Sequence, residues 1–287
     1  MDLTTIFYYL DEYCKGFEEK TGDYMLSSGA HKRIRKIRLS LSEIMTISVY
    51  YHASGFKTFK DYYTKSEEIR SGFPQMTSYN RFIELQQKAL VPISMLAKNF
   101  GKDDCNGISF IDSFPLKVSH PKRISSHKVF SGLAARGKTS VGWFFGFKLH
   151  VVINSIGEII DFSITPGNKS DNNADVLQNL TKNIQGKLYG DKGYIINKEL
   201  FEKLYSKGVH LITKVRKNMK QSLISFNDKM LLKARGIIES VGALLKFACN
   251  IEHSRYRNPI TLLFNVCSGI MAYNFRSHKP SIKSMSI

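Results

Sequence analysis

The sequence predicts an α/β chain in two parts: a mostly helical amino-terminal region, then a mixed β-sheet with helices on its faces. Three observations carry that reading. Up to about residue 104, apolar residues recur at spacings of three and four behind Ser and Thr caps, whereas from Gly107 they alternate or run in short blocks. Those blocks then take the order three strands, helix, strand, helix, strand, helix. The composition is globular, with 287 residues of which 43% are hydrophobic and 23% charged, enough to bury a sizeable core.

In the first part, Thr4 or Thr5 is placed to cap a helix whose Ile6, Tyr9 and Leu10 form an apolar stripe. Ser40 or Ser42 caps a second helix through Ile44, Ile47, Val49 and Tyr50, and Gly55 closes it. Residues 56–63 read as a short aromatic-rich helix. Gly72-Phe-Pro-Gln-Met is a turn, after which Thr77 and Ser78 cap a longer helix through Phe82, Leu85 and Leu90. Helix, Gly-Pro turn and capped helix are compatible with a helix-turn-helix, which would set Ser78, Asn80 and Arg81 against DNA. Residues 31–38 form a basic run in which Arg33 and Arg35 are expected to meet DNA phosphates.

In the second part, residues 108–112 alternate and end on Asp112. After a loop-rich insertion, 147–153 and 158–165 read as strands joined by the turn Asn154-Ser-Ile-Gly157. Ser170 caps a helix over about 172–183, residues 187–191 are a short strand running into a glycine turn, 196–206 a helix, and 209–213 a strand. A basic loop with Lys214, Arg216, Lys217 and Lys220 leads to a last helix over 233–246. This order is that of a ribonuclease H-like fold.

The formal charge of +18 points toward a polyanion, with nucleic acid the expected one. Cys14, Cys105, Cys249 and Cys267 form no CxxC pair and have no His partner at zinc spacing, which argues against a disulfide framework or a structural zinc and for a reducing compartment. No signal segment and no membrane-length apolar run is visible, so a soluble intracellular protein without membrane contact is expected.

Gly132-Leu-Ala-Ala-Arg-Gly-Lys-Thr139 matches the phosphate-loop pattern, but that motif needs a strand before it and a helix after it. The chain continues instead into Gly142-Trp-Phe-Phe-Gly-Phe-Lys148, which cannot start a helix. A basic loop over DNA backbone fits better, and it makes Lys138 and Lys148 candidate DNA contacts. Asp112 and Asp191 end strands expected to be neighbours, and on the last helix Glu239 shares a stripe with Arg235 and Lys246, which lie roughly 40° and 20° away at about 100° per residue. Two carboxylates at strand ends and one from a crossing helix can hold two hard divalent ions for in-line phosphoryl transfer. Without metal, three such acids would repel one another. Asp161, Asp171 and Asp175 are spare acids, the last two favoured early in a helix by its dipole. His127 and His150 read as ordinary loop and strand residues rather than phosphate contacts. For Trp143, Phe144 and Phe145, core packing is favoured over stacking on an unpaired base.

The motifs Ile111-Asp-Ser-Phe-Pro115, Gly132 to Lys138, Gly142 to His150, Thr165-Pro-Gly-Asn168, Gly190-Asp-Lys-Gly-Tyr194 and Arg235 through Glu239 to Lys246 resemble those of bacterial insertion-sequence transposases of the DDE type, most closely the IS982 group. Leu232 stands where related enzymes carry a Tyr. The resemblance implies a transposase with Asp112, Asp191 and Glu239 as catalytic and metal-binding residues, two Mg²⁺ or Mn²⁺ ions, and Arg235 and Lys246 holding phosphates. It also implies double-stranded DNA as partner, self-association on DNA, and a place in the bacterial cytoplasm beside the nucleoid. The corresponding domains are a helical DNA-binding region over 1–104, a catalytic domain over 105–277 and a basic tail over 278–287. A structure-specific nuclease or resolvase, and a non-catalytic DNA-binding protein, are the alternatives.

Overall fold

A computed structural model of the chain describes residues 2–27, 38–101, 104–214, 224–252 and 256–282, with the side chains of 22–27 outside that description. The chain divides into two compact units. Arg33 and Arg35 lie outside the described residues.

The first unit takes residues 1–97, 247–251 and 257–277. It opens with α1 (Leu3–Ser27), α2 (Leu41–Tyr51), α3 (Phe59–Lys65), α4 (Glu67–Gly72), α5 (Tyr79–Lys88) and α6 (Leu90–Asn99). Asp2 rather than Thr4 or Thr5 caps α1: its carboxylate accepts from the N–H groups of Thr4 and Thr5 at 3.3 and 3.1 Å. Ser40 caps α2 in a reciprocal box with Glu43. Ile6, Leu10 and Cys14 recur once per turn of α1 and are buried. The single helix expected through Leu90 is two helices, because Pro92 has no N–H to give the carbonyl of Lys88 one turn back. An aromatic cluster holds the short helices, with Tyr63 and Phe82 rings 4.6 Å apart between α3 and α5.

The second unit takes residues 98–246, 252–256 and 278–287. Its six-stranded sheet consists of β1 (Ile108–Ser119), β2 (Ala135–Thr139), β3 (Gly142–Asn154), β4 (Ile159–Pro166), β5 (Gly186–Gly190) and β6 (Val209–Thr213). The order is β2-β3-β1-β5-β6, with β4 also paired to β3. The β1–β3 and β3–β4 pairs are antiparallel, while β1–β5 and β5–β6 are parallel, so the sheet is mixed. Between strands lie α7 (Ala174–Leu180) and α8 (Lys198–Tyr205), whose Val176, Leu177, Leu200 and Leu204 pack with Ile111, Val152 and Leu188 on one sheet face. After β6 come α9 (Phe226–Ala234) and α10 (Gly236–Ala243), then a π-helical turn over Leu244–Ala248. The helix over 233–246 is therefore interrupted. On the other sheet face α10 sits against β1 so closely that a Cβ at Gly242 would come within 2.3 Å of the Phe114 ring. This is a ribonuclease H-like sheet preceded by a helical bundle.

Two further findings depart from the sequence-based expectation. The last helix, α11 (Pro259–Asn274), packs with α2 and α5 and belongs to the first unit, although a catalytic domain over 105–277 would include it. The reason is its burial on nearly all sides, with Ile270, Met271 and Tyr273 fully enclosed. Of the tail, the described residues 278–282 lie against the β3–β4 turn, where Ile282 N–H donates to the Ser155 carbonyl at 2.9 Å.

Candidate active site

Strand register puts Asp112 and Asp191 at one level. The β1–β5 ladder ends at the pair Phe110–Tyr189, and each acid lies two residues beyond its member of that pair. Parallel neighbours are about 4.8 Å apart, and steps of two keep both acids on the face bearing the stacked rings of Phe110 and Tyr189. Here β5 stops at Gly190, and Asp191 turns the chain into a short 3₁₀ segment by accepting from the Gly193 N–H at 2.7 Å. By contrast β1 continues to Ser119 because it stays paired with β3, so Asp112 lies within the strand rather than at its end, just past the last pair with β5.

The helix break sets the third arm. Arg235 stands at the junction of α9 and α10. Its Nη1 donates to Asp112 Oδ2 and its Nη2 to Glu239 Oε1, each at 3.0 Å, so one guanidinium ties the β1 acid to the helix acid. Its side chain is 16% exposed, that of Asp112 20% and that of Glu239 63%. Burial pushes the Asp112 carboxyl up to about 6, the Ser113 N–H and Arg235 pull it down, and the neighbouring Asp191 pushes it up again.

Lys246 does not share the Glu239 stripe. The π-helical turn breaks the periodicity that predicted it, and Lys246 instead pairs with Glu252 at 3.4 Å. Lys148 is 13% exposed and pairs with Asp171 at 3.0 Å, so its ammonium has an internal partner. Lys138 is exposed on β2, with its ammonium 5.7 Å from the centre of the Trp143 ring. Arg81 is half-exposed and pairs with Glu84 at 2.6 Å. The phosphate-loop match runs into β2, a strand, and the next element is another strand rather than a helix. His150 is fully buried, its Nε2 faces Thr165 Oγ1 at 2.9 Å, and burial pushes its pKa down to about 4, which keeps it neutral. His127 stacks on Phe130.

Asp171 has a larger part than a helix-start acid. It lies before α7, whose cap is Asn173, and it accepts from Ser113 Oγ at 2.7 Å as well as from Lys148. A Cβ at Gly193 would lie 2.9 Å from Asp191 Oδ1 and 3.2 Å from Asp171 Oδ2, so both carboxylates approach the same backbone. The signal present in the sequence is position: Asp171 comes after a strand that pairs with β3, the neighbour of β1.

Asp112, Asp191 and Glu239 offer hard oxygen donors and no sulfur or imidazole, which suits Mg²⁺ or Mn²⁺ in kind. The rise in the Asp112 pKa marks a place where a further cation would be welcome. In arrangement the set is open: among the described residues no three His, Cys, Asp or Glu side chains are gathered as an ion cage.

A search of curated proteins finds no match to the chain. A family model described as a transposase DDE domain matches residues 102–259, more than half of the chain and all of the strands and helices that carry these acids. The chain therefore belongs to the DDE transposase family, in its IS982-type branch.

Proposed function

We propose that this protein is a transposase that cleaves and rejoins DNA strands at the ends of its own insertion sequence, with Asp112, Asp191 and Glu239 as the catalytic carboxylates. The observation that carries the reading is the level placement of Asp112 and Asp191 just past the end of the parallel β1–β5 ladder, with Glu239 tied to Asp112 through Arg235. The three carboxylates would hold Mg²⁺ or Mn²⁺, two ions in all. When bound, the metal supplies Lewis-acid stabilisation and lowers the pKa of an attacking water or 3′-hydroxyl.

The chain's own groups do the rest. Asp112 and Asp191 fix two carboxylates on a rigid sheet, so little reorganisation is needed at the reacting phosphate. Arg235 presents a planar guanidinium at the same strand ends, suited to hold phosphate oxygens as charge builds on them. No covalent protein nucleophile is required, because the attacking group is a water or a DNA hydroxyl. DNA is the partner that the +18 charge favours, and bringing two ends together calls for self-association on DNA.

The test is Asp112→Asn, Asp191→Asn and Glu239→Gln assayed on a duplex carrying the terminal inverted repeats. Each is expected to lower Mg²⁺-dependent cleavage by at least about a hundredfold while duplex binding stays within a few fold. Cleavage at the wild-type rate by any one of them removes that residue from the site. Incubation with pre-cut ends and a target plasmid separates a transposase, which joins them, from a nuclease, which does not.

A further inference from the structure

One face of β3 carries an aromatic row. Residues 143, 145 and 147 project to the same side of the strand, and they are Trp143, Phe145 and Phe147. The insertion between β1 and β2 covers two of them: the His127 ring meets Phe145 edge-on at 6.1 Å and Phe130 meets Phe147 at 5.7 Å. Trp143 is left open at 64% exposure, and Val141 at the tip of the β2–β3 hairpin is 93% exposed. The fold does not need the indole, because the opposite face of the hairpin is already filled by Phe144, whose ring a Cβ at Gly137 would meet at 2.4 Å.

The surroundings select the occupant. Lys138 is the register partner of Trp143 and holds its ammonium 5.7 Å from the ring centre. From residue 113 to 157 the sequence contains no Asp or Glu, while Lys122, Arg123, Lys128, Arg136 and Lys138 on the insertion and hairpin are all exposed. A bare indole on a basic stretch of chain that carries no acid of its own suits a polyanion that also offers flat apolar faces, which is nucleic acid with its bases unstacked.

We propose that the β2–β3 hairpin is a stacking finger for an unpaired DNA base, with Trp143 against the base and Lys138 and Arg136 on the flanking phosphates. This rests on the proposed DNA-binding function and adds a site to it. Trp143 lies eight residues from Val151, the register partner of Asp112, and on the same face of the strand. At about 3.3 Å per residue the finger stands roughly 26 Å along the strand from Asp112. That corresponds to about eight nucleotide steps at 3.4 Å each.

Trp143 is the sole tryptophan of the chain, so its emission reports on this position alone. The experiment titrates the full chain, in EDTA, with a short mixed-sequence single strand, its fully paired duplex, and a duplex with an unpaired tract. Binding is read in parallel by anisotropy of labelled strands. Strands with unpaired bases are expected to quench the emission by half or more, the paired duplex much less. Trp143→Ala is expected to weaken binding of unpaired strands about 5- to 150-fold, and Trp143→Phe by less than about threefold, with paired-duplex affinity and melting temperature unchanged in both. Binding without a change in emission, or Trp143→Ala binding unpaired strands as wild type does, overturns the finger and leaves the transposase reading standing. Emission that changes on concentrating the protein without DNA assigns the indole to a second copy and also overturns it. Failure to bind any of the three DNAs overturns both readings.

Discussion

At the scale of the residue, the burial of Asp112 carries a cost in stability that Arg235 partly offsets. The folded carboxyl, at about 6, lies above the usual 3.8, so the folded state binds this proton more tightly than the unfolded chain does. Its ionisation therefore costs stability as pH rises through roughly 4 to 6; the cost is fully present above that window and absent below it. In metal-free protein, Asp112→Asn should raise stability by about 1–3 kcal/mol at pH 8, and the gain should vanish near pH 4, as followed by urea unfolding. Arg235→Ala should act in the opposite sense, destabilising by about 1–3 kcal/mol at pH 8 and by less near pH 4, because it strands a part-buried anion. A pH-independent effect of Arg235→Ala would mean that its pairing with Asp112 contributes nothing. Residue identity alone made Asp112, Asp191, Glu239 and Arg235 legible, since acids following short apolar runs and an i,i+4 pair on a helix are local patterns, although β1 continues past Asp112. Asp171 was not, because its contacts with Ser113 and Lys148 join positions 58 and 23 residues apart.

At the scale of the element, α10 decides whether Glu239 reaches the strand ends. Gly242 is its point of contact with β1. Alanine normally stabilises a helix over glycine by about 0.5–1 kcal/mol, but a Cβ at 2.3 Å from the Phe114 ring reverses the sign. Gly242→Ala is expected to lower stability by about 1–3 kcal/mol and to depress cleavage by shifting Glu239. Gly236→Ala, with nothing within 4 Å of its Cβ, should be neutral or stabilising by up to about 1 kcal/mol. Equal effects of the two in thermal melts would remove α10 packing as the explanation. The interruption of this helix was only half visible in advance: Gly236 is a weak helix former, but the π-helical turn that takes Lys246 to Glu252 has no sequence signature as simple as Pro92.

At the scale of the whole molecule, the first unit is assembled from both ends of the chain. A fragment ending at residue 104, the boundary the sequence suggests, lacks α11 and would expose the surfaces of α2 and α5 that α11 covers. Such a fragment should fail to show a cooperative melt, whereas the full chain should melt cooperatively; a cooperative, native-like fragment would show that α11 is dispensable. The charge of +18 carries its own expectation. With six to ten phosphates contacted, DNA affinity should fall about 10³- to 10⁵-fold between 50 and 200 mM salt, and a flat salt profile would argue against a phosphate-led interface.

The sequence by itself determined much of the order of strands and helices, though not β2, which it read as a loop, or α11, together with the basic character of the chain and the acids Asp112, Asp191 and Glu239, because caps, periodicities and apolar runs are set by near neighbours. Tertiary structure alone decided that Asp112 and Asp191 stand level, that Arg235 links Asp112 to Glu239, that Lys148 faces Asp171, and that Trp143 stays bare while Phe144 and Phe145 are buried. Those outcomes depend on register between strands distant in the chain and on which surfaces compete to cover one another, and neither is encoded in a local spacing.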